Sequence, residues 1–432
     1  MKFTLKNRDI YLKKLIAFKD IQTVKVITGI RRCGKSSLLK LMINYLISSG
    51  INDEQIIEMN FESMEYYDWD NKQLYNYIIS KVKSGKKTYL FFDEIQRIPK
   101  WQTAINSFMV DIDCDIYITG SNAFLLSSEL STYLSGRYVE IKMLPLSFSE
   151  FADFNNYKIN EITTLGGITK KMFYNKDNMS VSPDELFDAY LNFGGMPSIA
   201  ANMQLNQESV TSILDGIYSA VVIRDILERE TGTIKDPLLL RKIIMFLADN
   251  IGNSTSATSI GNTLVNAGLL KQPAKKPAAH TIQTYINALT ESYIFYEIKR
   301  FDIKGKEYLR TLGKYYIVDI GLRNYLLGFR NGDTGHILEN VVFFELLRRG
   351  YNVAIGKTGN KEIDFIATKT NEKKYIQVCE SIASEDTKKR ELTPLEQIQD
   401  NYEKIILTRD RLIYNDCNGI RILNVVDFLT DI

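Results

Sequence analysis

Cysteine and histidine are scarce in this chain of 432 residues, which has four cysteines and two histidines. The cysteines are scattered, and no pair has the spacing of a zinc site or of a disulfide framework. No apolar run approaches the roughly 20 residues that cross a bilayer. The first residues, MKFTLKNRDIYLKKL, lack the apolar core of a signal peptide. These absences argue against zinc-stabilised, disulfide-rich and membrane classes, and we expect a cytoplasmic protein.

An excess of one charge sign is also lacking. Lys and Arg number 54 against 52 Asp and Glu, so the formal net charge is +2. This small charge gives no global attraction to nucleic acid or to a membrane surface, although it permits a local basic face. The hydrophobic fraction of 45% and the charged fraction of 25% are ordinary for soluble globular proteins. A chain of this length is expected to form two to four domains.

One segment, Val24 to Ser37 (VKVITGIRRCGKSS), carries a phosphate-binding pattern. Gly29, Gly34, Lys35 and Ser36 match G-x-x-x-x-G-K-[ST]. A β-branched run that precedes the match predicts a buried strand, and apolar residues at helical spacing follow it. A chance match in a glycine loop is the alternative, and these flanks make it rare. The residues predicted to bind the cofactor are Gly29, Ile30, Arg31, Arg32, Cys33, Gly34, Lys35, Ser36 and Ser37.

The residue types in this pattern suit a nucleoside triphosphate. Glycines let the backbone bend closely around an anion, so that the amides of Arg31 to Lys35 can point at the phosphates. Lys35 supplies a positive charge for the β- and γ-phosphates, and the Ser36 hydroxyl is a ligand for Mg²⁺. We expect Arg31 and Arg32 to shape the loop or to be solvated rather than to be catalytic.

A second signal is the run Tyr89-Leu-Phe-Phe-Asp93-Glu94, in which four apolar residues end in two carboxylates. This pattern predicts a buried strand whose tip reaches the cofactor. Asp93 would then hold the Mg²⁺ shell, and Glu94 would act as the general base on the attacking water. The alternative is an acidic pair in the first turn of a helix, where Asp and Glu are favoured.

Two further signals follow along the chain. The run IYITGSN (116–122) ends in polar groups, of which Ser121 or Asn122 could orient water near the γ-phosphate, whereas the alternative is a turn or a helix cap. Arg137, in Leu134-Ser-Gly-Arg137, could act on the γ-phosphate of a neighbouring subunit as an arginine finger. The alternative for Arg137 is a surface or capping role.

Guanine-nucleotide chemistry is disfavoured by two missing residues. Asp93-Glu-Ile-Gln96 lacks the glycine of a DxxG switch, and Asn175-Lys-Asp-Asn178 lacks the final aspartate of NKxD. The base is therefore predicted to be adenine, and the predicted cofactors are ATP and Mg²⁺.

Strand and helix patterns alternate over the first third of the chain, which predicts an α/β fold with a parallel sheet and crossover helices. Residues 1–22 have the pattern of an amphipathic helix, and 147–235 are mostly helical, with a polar insertion or loop at 154–182. Gly194-Gly195-Met196-Pro197 predicts a firm turn. The predicted strands are 24–28, 55–62, 89–93, 115–120 and 138–143.

Two further kinds of structure are predicted for residues 236–432. Helical patterns over 237–250, over 257–265 and from about Thr281, followed by strand patterns at 294–301 and 308–318, resemble a winged helix. Residues 335–432 are predicted to form a helix, three strands and a mixed α/β end. The predicted helix is 338–349, and the predicted strands are 352–356, 361–368 and 374–379.

These motifs together resemble a prokaryotic AAA+ ATPase family whose members carry an uncharacterised C-terminal domain. The resemblance is carried by GIRRCGKSSLL, LFFDEIQ, YITGSNAFLLSSEL, YLSGRYVEIKMLPLSFSEF and GGMP. It implies Walker A at Gly29–Ser36, Walker B at Asp93 and Glu94, sensor 1 at Ser121 or Asn122, and the finger at Arg137. The implied domains are an ATPase core (1–146), a helical lid (147–235), a winged helix (236–330) and a nuclease-like α/β module (331–432).

The C-terminal module is similar to the PD-(D/E)xK arrangement at Glu339, Glu362-Ile-Asp364 and Gln377-Val-Cys379. A working site of that kind needs carboxylates for Mg²⁺ and a lysine near the scissile phosphate. Here Cys379 stands at the lysine position and carries no charge. We therefore expect a relic used for binding or assembly rather than active cleavage, and Glu339 could simply cap its helix.

Basic residues around the predicted winged helix leave DNA contact open. The alternatives are a solvated basic loop and a protein-contact surface. We predict an Mg-ATP-dependent ATPase whose nucleotide cycle moves the C-terminal domains, acting as a homo-oligomer or with a protein partner. The rival functions are a DNA-binding regulator switched by ATP and, less favoured, an ATP-driven nuclease. The basic residues are Lys271, Lys275, Lys276, His280, Lys299, Arg300, Lys304 and Lys306.

Overall fold

The structure is a computed structural model, and its description covers most of the chain. The chain folds as two compact units, residues 1–144 with 291–293 and residues 145–290 with 294–432. Ser121 and Asn122 lie outside the described residues. The residues described are 5–120, 134, 136–163, 169–200, 207–227, 234–267, 277–303, 305, 307–308, 313–328, 334–411 and 416–431.

The first unit contains a five-stranded sheet in the order β2-β3-β4-β1-β5, and every neighbouring pair in it is parallel. All five predicted strands are confirmed, with ends that move by no more than two residues. The strands are β1 (Val24–Thr28), β2 (Ile56–Asn60), β3 (Thr88–Asp93), β4 (Cys114–Gly120) and β5 (Tyr138–Lys142), and the helices are α1 (Asp9–Ala17), α2 (Lys35–Ser48), α3 (Asn71–Lys81) and α4 (Trp101–Asp111).

The burial of the strands explains why their apolar residues predict them. Every residue of β1 and β3 is buried, as expected for a parallel sheet that is covered by helices on both faces. Leu74 and Ile78 of α3 and Phe108 of α4 pack with Phe92 and Ile118 of the sheet in one apolar cluster. Burying each such side chain contributes roughly 1.5–3 kcal/mol. The helices thus hold the carboxyl ends of the strands at one edge of the sheet.

The second unit contains helices together with antiparallel and mixed sheets. The described part of this unit begins with α5 (Phe148–Phe154). Residues 154–182 are predicted to be an insertion or a loop, and the loop alternative is wrong, because this segment contains an antiparallel sheet of three strands. These strands carry polar residues on both faces, so they lack the alternation that identifies a half-buried strand. The three strands are β6 (Lys158–Thr163), β7 (Thr169–Tyr174) and β8 (Ser180–Val181).

Helices follow this small sheet, as the pattern predicted for residues up to 235. The described helical segments are α6 (Pro183–Phe193), α7 (Pro197–Ala200), α8 (Gln207–Ser219), a π-helical segment (Ala220–Leu227), α9 (Pro237–Asp249), α10 (Ala257–Asn266) and α11 (Ala279–Glu291).

The strands after α11 take part in two sheets. β9 (Phe295–Ile298) pairs antiparallel with β12 (Lys314–Ile317), which agrees with the predicted pair of strands. Between them, β10 (Arg300–Asp302) pairs with β11 (Glu307–Tyr308) and also joins the C-terminal sheet beside Asn352–Thr358. Nothing in the pattern indicated that second pairing, because it depends on a strand about 50 residues away.

The C-terminal part forms an eight-stranded mixed sheet in the order β11-β10-β13-β14-β15-β16-β18-β17. The predicted helix and three strands of this part are confirmed, each a few residues longer or shifted. Its remaining elements are α12 (Ile320–Leu327), α13 (Thr334–Arg348), β13 (Asn352–Thr358), β14 (Lys361–Lys369), β15 (Glu372–Cys379), α14 (Glu385–Glu396), β16 (Glu403–Thr408), β17 (Asp416–Cys417), β18 (Ile420–Asn424) and α15 (Val425–Thr430).

The division into four domains stays a prediction.

In the part of the chain that the structure describes, no helix has both the length and the apolar character that a membrane span requires.

The Gly194-Gly195 turn holds the segment that enters the second unit. The Leu146 amide donates to the Gly195 carbonyl over 2.7 Å, and the Gly195 amide donates to Asp319 Oδ2 over 2.6 Å. The Tyr190 hydroxyl donates to the Leu146 carbonyl over 2.9 Å. A Cβ at position 195 would lie 2.4 Å from the Leu146 carbonyl oxygen, so only glycine allows this approach.

Gly195→Ala is expected to destabilise the second unit by about 1–3 kcal/mol, since backbone must move to relieve the contact. Gly335→Ala is the matched control, because a Cβ there meets no atom within 4 Å. Gly335 lies in the first turn of α13, where alanine is expected to be neutral or slightly stabilising. Urea unfolding followed by circular dichroism gives both free energies, and equal stabilities for the two variants would contradict the steric argument.

Candidate nucleotide-binding site

The bend between β1 and α2 begins at Gly29, whose φ is 142°. The Met143 amide donates to the Thr28 carbonyl over 2.7 Å, which brings the end of β5 against the loop. A Cβ at position 29 would lie 2.1 Å from the Met143 carbonyl oxygen. Glycine is therefore required at this position for packing as well as for its backbone angle.

The loop ends at Gly34, which has φ 106° and is the N-cap of the 14-residue helix α2. Arg32 is also left-handed, with φ 65°. Gly34 has no side chain that could cap the first turn of α2, so amides at that end are left for an anion, and the helix dipole adds partial positive charge there. This geometry is what the glycine pattern predicts for a phosphate-binding loop.

Lys35 is folded over its own loop and is only 5% exposed. Its Nζ donates to the carbonyls of Gly29, over 2.9 Å, and Ile30, over 3.2 Å. These bonds hold the ammonium inside the curve of the loop, where a bound phosphate would meet it.

Asp93 lies at the carboxyl end of β3 and is 5% exposed. Its carboxylate accepts hydrogen bonds from Asn60 Nδ2 at 3.0 Å and from Thr119 Oγ1 at 2.5 Å, and the Ser36 hydroxyl lies close enough to favour its charged form. Burial raises the pKa of the Asp93 carboxyl, and the hydroxyls of Thr119 and Ser36 partly oppose that rise. The structure thus brings together Ser36 and Asp93, the two residues predicted to hold Mg²⁺.

These two residues fit a magnesium ion by their chemistry. Mg²⁺ prefers hard oxygen ligands and is usually held by one or two carboxylates together with substrate phosphates and water. The Ser36 hydroxyl lies near enough to the Asp93 carboxylate to lower its pKa, so the two oxygens belong to one neighbourhood in which they could share an ion or its water shell.

Glu94 follows directly and takes a left-handed backbone conformation, with φ 55° and ψ 45°. Its amide donates to Thr119 Oγ1 over 3.0 Å, and its Oε2 accepts from Gln96 Nε2 at 2.5 Å. Left-handed geometry costs a non-glycine residue roughly 1–2 kcal/mol, and strain of this kind clusters at functional sites. Asp93 is the last residue of a fully buried strand, and Glu94 is the N-cap of one short 3₁₀ turn (Ile95–Arg97), so the two carboxylates do not form an acidic pair within the first turn of an α-helix.

The comparisons with known proteins agree with this geometry. Residues 22–152 match the model of a family described as AAA domain, and residues 184–333 match a domain of unknown function (DUF8612). An uncharacterized protein of Haemophilus influenzae is 41% identical over 425 residues, which cover 98% of each chain. An uncharacterized protein of Methanocaldococcus jannaschii is 32% identical over 95% of this chain and 85% of its own.

The chain belongs to the AAA+ ATPase family. Among solved structures, the AAA+ chain is similar to a Walker-type ATPase of Pyrococcus abyssi, with 15% identity and a TM-score of 0.49 over 74% of this chain and 95% of that one.

The remaining predicted residues of this AAA+ protein lie in different places. Ser37 is exposed in the first turn of α2, and Arg32 is exposed on the loop. Arg31 Nη1 contacts Glu62 Oε1 at 3.4 Å, as a loop-shaping residue would. Ser121 and Asn122, the two sensor candidates, fall outside the described residues.

Arg137 is not brought to the phosphate loop of its own chain. It precedes β5, and its carbonyl accepts from the Val24 amide at 2.8 Å, at the amino end of β1. The loop begins at the other end of β1, about 13 Å further along the strand. Arg137 is exposed, so its side chain is available to another molecule rather than to this site.

Sequence reasoning missed Asn60 and Arg8. Asn60 is opposite Asp93 in the register of β2 and β3, and a polar residue at the end of a predicted strand was the available signal. Arg8 is 3% exposed and donates to the carbonyls of Cys33, over 3.2 Å, and Leu144, over 3.0 Å. It ties the phosphate loop to the end of β5, and no motif marks it.

Cys33 is fully buried within the loop, and burial raises the pKa of its thiol. Its thiol is therefore neutral and its contribution is structural. The backbone of the loop, rather than this side chain, faces the predicted phosphate position.

The C-terminal module places Glu339 on α13, Glu362 and Asp364 on β14, and Gln377 and Cys379 on β15. They line one cavity of about 850 Å³, as the resemblance to PD-(D/E)xK implies. Within the described residues, no group of three or more His, Cys, Asp and Glu side chains could hold a metal ion.

Proposed function

We propose that this AAA+ protein binds Mg-ATP, hydrolyses it to ADP and phosphate, and uses the cycle to move its C-terminal domains or to change their binding of a partner. The observation that carries the proposal is the contact of Ser36 with Asp93 at the mouth of the phosphate loop. It joins the two motifs that a nucleotide-hydrolysing site needs, although they are 57 residues apart in the chain.

Phosphate binding is assigned to the amides of residues 31–35 and to the Lys35 ammonium. The ammonium already lies in the curve of the loop, so binding needs only a change of acceptor from the Gly29 and Ile30 carbonyls to phosphate oxygens. Ser36 and Asp93 would hold Mg²⁺, which when bound neutralises charge on the β- and γ-phosphates.

Water activation is assigned to Glu94. Its left-handed backbone turns the residue out of β3, while the Thr119 hydroxyl accepts from its amide and donates to Asp93. Thr119 therefore sets the spacing between the metal-binding carboxylate and the base. Ser121 or Asn122, which follow in the chain, stay the predicted sensor residues.

Arg137 is proposed to act on the γ-phosphate of a neighbouring copy of the chain. Its exposure at the opposite end of β1 from the loop supports action between chains over action within one. A homo-oligomer is therefore the proposed working state, and the finger couples hydrolysis to assembly.

Arg137→Ala is expected to lower ATP turnover by on the order of 10³-fold, as the loss of an arginine finger does, while ATP binding is retained. Mixing it with Lys35→Ala should restore part of the turnover, because the second variant supplies the arginine to an intact phosphate loop. Arg421→Ala, which removes an exposed arginine of the C-terminal sheet, is the matched control. Absence of restoration would argue for an ATPase that acts as a single chain.

The experiment that tests the whole proposal measures phosphate release from ATP and from GTP in Mg²⁺, with and without duplex DNA, beside the mass of the ATP-bound assembly. Turnover with ATP and a mass above that of one chain are the expected results. No turnover under any condition would contradict the proposal. Stimulation by DNA that weakens steeply with salt would favour the DNA-binding regulator instead.

A further inference from the structure

A buried lysine lies among the acidic residues of the C-terminal module. Lys314, on β12, contacts Glu362 of β14 and Glu339 of α13. We infer that the Lys314 ammonium fills the cation position of this cluster, so that the module is built to exist without a divalent metal ion.

The distances define Lys314 as the counter-ion. Its Nζ lies 2.7 Å from Glu362 Oε1 and 3.6 Å from Glu339 Oε2, and the residue is 4% exposed. Burial alone would lower the pKa of Lys314, but the charges of Glu339, Asp364 and Glu362 outweigh it and hold the pKa above its ordinary value. The lysine is therefore charged at neutral pH.

Both Glu339 oxygens and one Asp364 oxygen already have partners in the protein. Glu339 Oε2 accepts from the Tyr316 hydroxyl at 3.0 Å, and Glu339 Oε1 is 3.2 Å from His336 Nδ1. Asp364 Oδ2 accepts from the Val378 amide at 2.9 Å. Mg²⁺ demands a nearly octahedral oxygen shell, and to bind here it would have to compete with these donors and with the Lys314 ammonium for the same oxygens.

The two β15 residues at the motif positions add no charge. Gln377 Oε1 accepts from the Asp364 amide at 2.8 Å, and its Nε2 donates to Glu391 Oε2 over 2.8 Å, so its side chain joins the strands. Burial raises the pKa of Cys379 to about 12, so its thiol is neutral. The ammonium of the cluster therefore comes from β12, where it neutralises carboxylates.

The test replaces this ammonium and asks whether a metal ion can take its place. Lys314→Gln in EDTA, without nucleotide, is expected to lower the melting temperature by roughly 6–20 °C, because it leaves buried carboxylates uncompensated. Added Mn²⁺ should recover part of that loss. Lys361→Gln is the matched control, since Lys361 is exposed and lines the same cavity, and it should melt like the wild type.

Two results would overturn the inference. One is a Lys314→Gln protein whose melting temperature does not respond to Mn²⁺. The other is a wild-type protein that Mn²⁺ stabilises, with the stabilisation lost in Asp364→Asn. The Asp364→Asn comparison separates this cluster from the nucleotide site, where a divalent ion is also proposed to bind.

A second measurement decides the case if Lys314→Gln does not fold. Mn²⁺ bound by the nucleotide-free wild type and by Asp364→Asn is counted by electron paramagnetic resonance. Equal numbers support the inference, and one fewer ion in the variant overturns it. Mg²⁺-dependent nicking of duplex DNA that Asp364→Asn abolishes would also overturn it and would favour the nuclease.

Discussion

Lys35→Ala is expected to weaken Mg-ATP binding by roughly 10- to 150-fold, which corresponds to the loss of one charge-assisted hydrogen bond of about 1.5–3 kcal/mol. Turnover should fall with it, since the same ammonium is assigned to the β- and γ-phosphates. The reason is local, because the Gly29 and Ile30 carbonyls hold Nζ inside the curve of the loop, at the assigned phosphate position. Titration calorimetry with ATP measures the effect.

Lys40→Ala controls for loss of a lysine from the same helix. Lys40 is exposed on α2, so its variant should bind ATP as the wild type does. Lys35→Met, which keeps most of the aliphatic chain, separates lost charge from lost packing and should bind as weakly as Lys35→Ala. Tight ATP binding by both Lys35 variants would refute the phosphate assignment.

Glu94→Gln is expected to keep ATP binding and to lower turnover by roughly 10²–10⁴-fold, the usual contribution of a positioned general base. The glutamine side chain has nearly the shape of the glutamate side chain. The left-handed backbone at position 94 and the hydrogen bond from its backbone N–H to Thr119 should therefore remain. Single-turnover measurement of phosphate release, with ATP binding measured in parallel, separates chemistry from affinity.

Glu62→Gln is the matched control for this variant. Glu62 is another glutamate of the ATPase unit, and it contacts Arg31 and Arg97 rather than Asp93 or Thr119. Its variant should retain most of the wild-type turnover. If Glu94→Gln turns over as fast as Glu62→Gln, Glu94 is not the base and the water must be activated by another group.

A comparison of the Lys35 and Glu94 variants shows whether the two motifs serve separate steps, ATP binding and ATP hydrolysis. A Lys35 variant that fails in binding and a Glu94 variant that fails only in chemistry would assign the two motifs to separate steps. Loss of binding in both would mean that Glu94 supports the structure of the site, most directly through its Thr119 contact.

The parallel sheet of the first unit could be predicted because its strands are rich in β-branched and aromatic residues. Each strand is bounded by turn or helix signals within a few residues, and β1 and β3 are buried along their whole length. The small sheet at β6–β8 could not be predicted in this way, since polar residues occur on both of its faces. Its pairing depends on neighbouring strands rather than on a period within each.

In the candidate site, too, some residues are identified by local motifs and others only by their tertiary contacts. The phosphate loop and the acidic strand end are local motifs, whose residue types are required by the cofactor itself. Asn60 and Arg8 act through partners 33 and 25 residues away, so no local pattern shows what they contact. Lys314 is a comparable case in the C-terminal module, since its partners Glu339 and Glu362 belong to later elements.

The order of residues alone determined where the phosphate loop bends, which strands form the parallel sheet and which carboxylates end them, because these features follow from backbone freedom and from the period of apolar residues over a short stretch. Only the tertiary structure decided that Ser36 meets Asp93, that Met143 forces glycine at position 29, and that a lysine from β12 neutralises the acidic cluster. Those contacts join residues from 25 to 114 positions apart in the chain, and packing across a folded core, rather than local preference, brings them together.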